Sequence, residues 1–158
     1  MASDNSQLTH LSSSGETAMV DVSAKPTQMR EAVAQGSIHL APATLAAITE
    51  ATVKKGDVLA VARVAGIQGA KQCSQLIPLC HPLPLSKIGV DFALEETSGV
   101  ITITCTTRTV AQTGVEMEAL TGVAVAALTI YDMCKGIDKD IRIGETQLLD
   151  KTKTDLPA

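Results

Sequence analysis

Apolar positions alternate with polar ones along some stretches of this chain and recur every three or four residues along others, and the two rhythms divide it into elements. From Arg30, "REAVAQGSIHLA" alternates at Ile38 and Leu40 and predicts a strand. Pro42 suits the first turn of a helix, where its missing N–H has no partner to lose, so "PATLAAITEATV" reads as helical. After "KKG", Asp57 can cap a second helix, "DVLAVARVAGIQGAKQCSQL", with Val58, Val61, Ala62, Ala65 and Ile67 near one face. A proline-rich stretch ends it. "LSKIGVDFALEE" alternates Ile88, Val90, Phe92 and Leu94, and beyond "TSG" the β-branched "VITITCTTRTV" completes a hairpin. "TGVEMEALTGVAVAALTIYDMCKGI" has helical length and spacing, and "KDIRIGETQLL" alternates Ile141 and Ile143 as a last strand. The order is β, α broken in two, β, β, α, β. This is the split βαβ of a ferredoxin-like α+β domain, one antiparallel sheet with helices packed on one face.

No repeat or linker divides these elements, and 158 residues make one domain, drawn here over residues 19–150. Residues 1–18 are rich in Ser, Thr, Asn and Asp and predict a disordered arm, with "MVDVS" adding a short strand at its end. Residues 151–158 are polar and predict a flexible tail. Aromatics are 1% of the chain, so the core must be Val, Ile, Leu and Ala. A net charge of −4 and few rings give neither an electrostatic footprint nor a stacking platform for nucleic acid. No apolar run approaches 18 residues and the N-terminus has no leader-like pattern, so the expectation is a soluble, cytoplasmic protein without a membrane partner. Cys73, Cys80, Cys105 and Cys134 form no C-x-x-C pair, which argues for reduced thiols and against a zinc site.

Within that frame, "LIPLCHPLPLSK" holds Cys80 and His81 on an extended, low-entropy backbone. His81 is either a substrate contact or a structural peg; Cys80 reads more readily as a small packed hydrophobe than as a nucleophile. The long helix begins with Glu116 and Glu118, which sit two apart and so point to opposite sides: either the helix starts later or one Glu is structural. Acids there also complement the helix dipole. Near its other end Asp132 stands among apolar neighbours, three positions before Lys135, and a lysine beside such a carboxylate is a candidate proton carrier. Glu116 and Asp132 are roughly 24 Å apart at about 1.5 Å per helical residue, too far for one small substrate to bridge within a subunit. If both ends act, the site is assembled between chains. Lys54 and Lys55 flank a Gly56 turn, while Lys71, Lys87, Lys139, Lys151 and Lys153, each taken alone, read as surface charges. There is no glycine-rich phosphate cradle, so any phosphate must be held by side chains.

"KKGDVLAVARVAGIQGAKQCSQLIPLCHPLPLSK", "TGVEMEALTGVAVAALTIYDMCK" and the preceding "MVDVS" resemble the molybdenum cofactor biosynthesis protein C family, the cyclic pyranopterin monophosphate synthases, over roughly residues 19–151. The combination of "LIPLCHPL", "TGVEMEAL" and "YDMCK" in that order is highly specific. The resemblance implies a homohexamer, a trimer of dimers with sites at the dimer interface, that turns 3′,8-cyclo-7,8-dihydro-GTP into cyclic pyranopterin monophosphate and diphosphate. It places catalytic roles on Lys55, Lys135 and Asp132, and substrate contacts on Cys80, His81, Glu116, Met117, Glu118 and Lys151. Lys55 and Lys135 are then the acid/base pair, expected to have lowered pKa values through burial and mutual repulsion, with Asp132 orienting Lys135. No protein-bound cofactor is implied; magnesium could arrive with the triphosphate. The family tail usually continues Gly-Gly-Lys-Ser-Gly, whereas this chain reads "KTKTDLPA". The rival reading is a ferredoxin-like regulatory domain that binds a nucleotide or small ligand without chemistry.

Overall fold

The computed structural model describes residues 17–157, so the arm expected over residues 1–18 lies outside the described residues except for its last two. The chain forms β1 (Gln28–His39), α1 (Pro42–Thr49), α2 (Val58–Lys71), α3 (Cys73–Leu76), β2 (Leu85–Glu95), β3 (Val100–Ala111), α4 (Glu116–Cys134) and β4 (Arg142–Thr154). The sheet order is β2-β3-β1-β4, with every neighbouring pair antiparallel. This is the expected α+β architecture. Strand alternation turns Ala32, Ala34 and Ile38 of β1 and Ile101, Ile103 and Cys105 of β3 inward, where Ala119, Val123, Ala126 and Ile130 of α4 pack with them in one core.

Asp57 caps α2 as expected, its carboxylate accepting from the Ala60 N–H at 2.9 Å. The buried face of α2 is Val58, Ala62, Gly66, Gly69 and Ala70. Val61, expected on that face, is 46% exposed. The face turns because α2 packs on α4 through glycines: a Cβ on Gly66 would stand 2.9 Å from the Gly122 carbonyl oxygen. The small-residue middle of α4 therefore meets its own chain first. α2 also stops at Lys71, leaving Cys73–Leu76 as a separate turn.

Two further boundaries differ from expectation. "MVDVS" forms no strand; it runs irregularly into a turn in which the Lys25 N–H donates to the Val22 carbonyl at 3.0 Å. The tail beyond Leu149, expected to be loose, instead carries β4 onward to Thr154, with Asp150 opposite Val33 and Thr154 opposite Met29. An edge strand needs only backbone partners, so its polar, lysine-containing sequence hides it from an apolar pattern. Ile141 lies before β4 and is buried, whereas Ile143 within it is exposed, so their alternation does not mark one face. α4 contains an 18-residue stretch of mean hydropathy 1.3, long and apolar enough to cross a bilayer by length and composition alone, although polar residues interrupt it and no continuous apolar run approaches 18 residues. Its apolar stripe is instead buried among β1, β3 and α2.

Candidate active site

Two buried hydroxyls on β3 pin the surroundings of the proline loop. Thr107 donates to the carbonyl of Val115, the residue just before α4, at 2.9 Å; Thr109 donates to the Pro84 carbonyl at 2.6 Å. The start of α4 and the end of the loop are thus fixed to successive inward positions of one strand. After α3 the loop turns back, with the Cys80 N–H donating to the Ile77 carbonyl at 3.1 Å. A groove of about 690 Å³ results, lined among others by Cys80, His81, Glu116, Met117, Glu118 and Lys151. All six residues expected to contact substrate come together there.

His81 Nε2 lies 2.8 Å from the Val20 carbonyl oxygen. A carbonyl only accepts, so this nitrogen carries the proton and donates. Glu118 is buried, and desolvation pushes its carboxyl above the usual range, while its own backbone N–H, the Cys73 thiol and nearby His81 partly offset this. Glu116 is less buried and pairs with Lys151, Nζ to Oε1 3.2 Å. Its carboxylate lies where a side chain on Gly114 would begin, so Gly114 is small to admit it. The expected alternative of a later helix start gives way: α4 begins at Glu116, and both glutamates line the groove. Burial raises the Cys80 thiol and pushes that of Cys73 up to about 12. A thiolate is disfavoured at Cys80, which supports packing over nucleophilic attack.

The remaining three candidates meet at the other end of α4. Gly56, at φ 98°, allows the tight turn that delivers Lys55. Lys55 Nζ donates to the Asp132 carbonyl oxygen at 2.7 Å and to Oδ2 at 3.1 Å; Lys135 Nζ reaches Oδ1 at 2.6 Å. The two lysines hold the Asp132 carboxyl below its ordinary range, with Lys135 the larger cause. Asp132 in turn raises Lys135. That is the reverse of the expected lowering, because a shared carboxylate stands between the cations and all three side chains are at least half exposed. Among the described residues no group of three His, Cys, Asp or Glu side chains is placed to hold a metal ion.

Comparison with known proteins bears on this split arrangement. The MoaC family profile matches residues 19–154. The chain belongs to the MoaC family. Relatives called "Cyclic pyranopterin monophosphate synthase" include one from Roseiflexus sp. (strain RS-1), 54% identical over 147 residues and covering 93% of each chain. Another, from Rhodospirillum rubrum, is 54% identical over 145 residues, covering 92% of this chain and 87% of its own. A third, from Brevibacillus brevis, is 53% identical over 146 residues, covering 92% and 91%. The MoaC match ends where β4 ends and takes in the segment beginning at Met19, whose Val20, Val22 and Lys25 also line the groove. Sequence reading missed those three, together with Thr113 and Gly114. They lie in irregular backbone without periodicity, and only the family motifs "MVDVS" and "TGVEMEAL" signalled that these segments mattered.

Proposed function

We propose that this chain is a cyclic pyranopterin monophosphate synthase, a lyase of molybdenum cofactor biosynthesis that converts 3′,8-cyclo-7,8-dihydro-GTP into cyclic pyranopterin monophosphate with release of diphosphate. The observation that carries the site assignment is the division of the candidate residues between the two ends of α4. A rigid helix holds the ends roughly 24 Å apart. One substrate therefore takes Lys55, Asp132 and Lys135 from one subunit and the groove from another, in a homohexamer built as a trimer of dimers. Val61, Val64, Leu128 and Tyr131, exposed apolar residues of α2 and α4, support a covering partner.

Opening the purine and closing the pyrazine ring proceed by proton transfers. Asp132 keeps Lys135 charged, so Lys135 enters as the proton donor, and Lys55 exchanges protons beside it. Glu116, Met117 and Glu118 hold the guanine-derived edge, with Cys80 packed beneath. Cyclisation then brings a sugar hydroxyl onto the α-phosphorus; its P–O bond forms as the bond to diphosphate breaks, and His81 and Lys151 stabilise the developing charge. These steps need no protein-bound cofactor, and magnesium, where it takes part, arrives with the triphosphate. The acidic, ring-poor chain suits a cytoplasmic enzyme of small molecules with neither nucleic acid nor membrane as partner.

The purified chain, given the cyclised nucleotide, is expected to release one diphosphate per pterin formed and to scatter light as a hexamer. Stoichiometric binding without diphosphate release would favour the regulatory-domain reading instead. His81→Ala is expected to weaken substrate affinity or slow phosphate cyclisation by roughly 10- to 100-fold, in proportion to losing one hydrogen bond to a charged group, with little change in melting temperature. Normal kinetics combined with a large drop in melting temperature would make His81 a structural peg holding Val20.

A further inference from the structure

Asp138, in the loop that leaves α4, is 6% exposed, and among the described residues no cation pairs with it. Burying a charge is costly unless hydrogen bonds take the place of water. Here they do. Oδ2 accepts the Ala41 N–H at 2.7 Å, Oδ1 accepts the Asp140 N–H at 3.0 Å, and the buried Thr44 hydroxyl also donates. The bond from Ala41 is the chief cause that holds this carboxyl below its ordinary range. Ala41 occupies the cap position of α1 and has no side-chain acceptor to offer that helix. In a capping box, an acid three residues on would accept the N–H of the cap residue. That position is Thr44, and Asp138 supplies the carboxylate from another element, 97 residues away.

The segment that begins at Ala41 is tied to the end of α4 a second time. α1 has eight residues, too few to hold a helix by themselves, and buries only Thr44, Leu45 and Ile48. Its last turn carries the connection to α2 directly: the Glu50 N–H donates to the Ala46 carbonyl at 2.8 Å and the Thr52 N–H to the Ala47 carbonyl at 3.0 Å. Ala51, at φ 56°, then turns the chain toward Lys55, whose ammonium binds Asp132. One end of the span 41–55 is held by Asp138 and the other by Asp132, so the span and the end of α4 form a closed ring. The buried Cys134 thiol lies inside it: desolvation raises it most, the Asp138 carboxylate raises it further, and Lys55 lowers it.

We infer that Asp138 is a positioning residue for Lys55: its buried carboxylate fixes the start of α1 against the end of α4 and so sets where the Lys55 ammonium meets Asp132. The Lys55–Asp132 pair does not do this alone, because both side chains are at least half exposed and water screens them. The bonds of Asp138 are shielded, so they hold the span while Lys55 exchanges protons. A misplacement of about 1 Å by a group remote from the chemistry can cost roughly 100-fold in rate. The consequence for turnover rests on the function proposed above; the coupling of Asp138 to Lys55 does not.

The test compares Asp138→Asn and Asp138→Ala with the unaltered intact chain by kcat and KM on the cyclised nucleotide and by the rate at which an amine-reactive ester labels Lys55. Exposed Lys87 on β2 serves as the internal reference for labelling. Asp138→Ala is expected to raise Lys55 labelling by about two- to fivefold, the population scale of one exposed ion pair. Its kcat is expected to fall by roughly 10- to 100-fold with KM hardly changed. Asp138→Asn keeps one acceptor oxygen and should lie between, and it carries the same comparison if Asp138→Ala does not fold. Both variants should melt lower, as loss of a purely structural bond would also make them do. Adding Ala41→Ser to Asp138→Ala gives α1 a cap of its own, and is expected to recover melting temperature without recovering kcat or the Lys55 labelling rate. The inference is overturned if the folded variants label Lys55 and turn over as the unaltered chain does, or if Ala41→Ser restores rate together with stability. The labelling dependence in a chain without turnover would leave the coupling standing and remove the enzymatic reading; turnover that Asp138 variants leave undiminished does the reverse.

Discussion

Lys55→Ala and Lys135→Ala each abolish product formation while leaving a folded, correctly assembled protein: this is the outcome expected if the cluster at the C-terminal end of α4 carries the proton transfers. A positioned acid or base contributes roughly 10²- to 10⁴-fold to rate. Each variant should lose at least that much, because the rearrangement passes through several transfers and every one requires the same groups. Stability should hardly change. Both lysine side chains are half exposed, and exposed pairs of this kind are screened by solvent. Lys55 also donates to a carbonyl near the end of α4, so its removal frays that turn slightly without touching the core. Single-turnover product formation, read beside a melting curve and a light-scattering mass, separates the cases. A variant unfolded at ambient temperature, or one turning over undiminished, would take its lysine out of the proposed role.

The strand and helix pattern was legible because its signals are local: an aspartate cap at Asp57, β-branched runs through β3, apolar spacing along α4. What escaped depends on partners distant in sequence. Val61 turned outward because α2 meets α4 through Gly66, a preference no single helix displays. β4 ran past Leu149 because β1 supplies its backbone partners whatever the side chains are. The site divides in the same way. The Pro-Cys-His-Pro loop and the two ends of α4 announced themselves by composition and motif. The pairing of Glu116 with Lys151 joins residues far apart in the chain and appears only in the fold. The electrostatics of Lys135 likewise followed from geometry, since nothing in the order of residues says that Asp132 receives both lysines at once.

Glu116→Ala and Lys135→Ala, each inactive alone, are expected to restore activity when dissociated together and reassembled. The reason is length. Glu116 is the first residue of the 19-residue α4 and Lys135 the residue that caps its end, and at about 1.5 Å per residue they are some 24 Å or more apart. Proton transfer needs heavy atoms within about 3 Å. No rotation of side chains closes that gap, so one substrate touches both residues only where the beginning of one α4 faces the end of another. In a mixed dimer carrying one of each variant, one of the two interfacial sites then combines an intact Glu116 with an intact Lys135, and the other carries both substitutions. With random pairing, about half the dimers are mixed and half of their sites are intact, so activity should return to roughly a quarter of that of the unaltered protein. Single variants taken through the same procedure should stay inactive. A verified mixed oligomer without activity would mean that one of the two residues lies outside the site. Glu116, whose carboxylate is already paired with Lys151, is the one that result would remove.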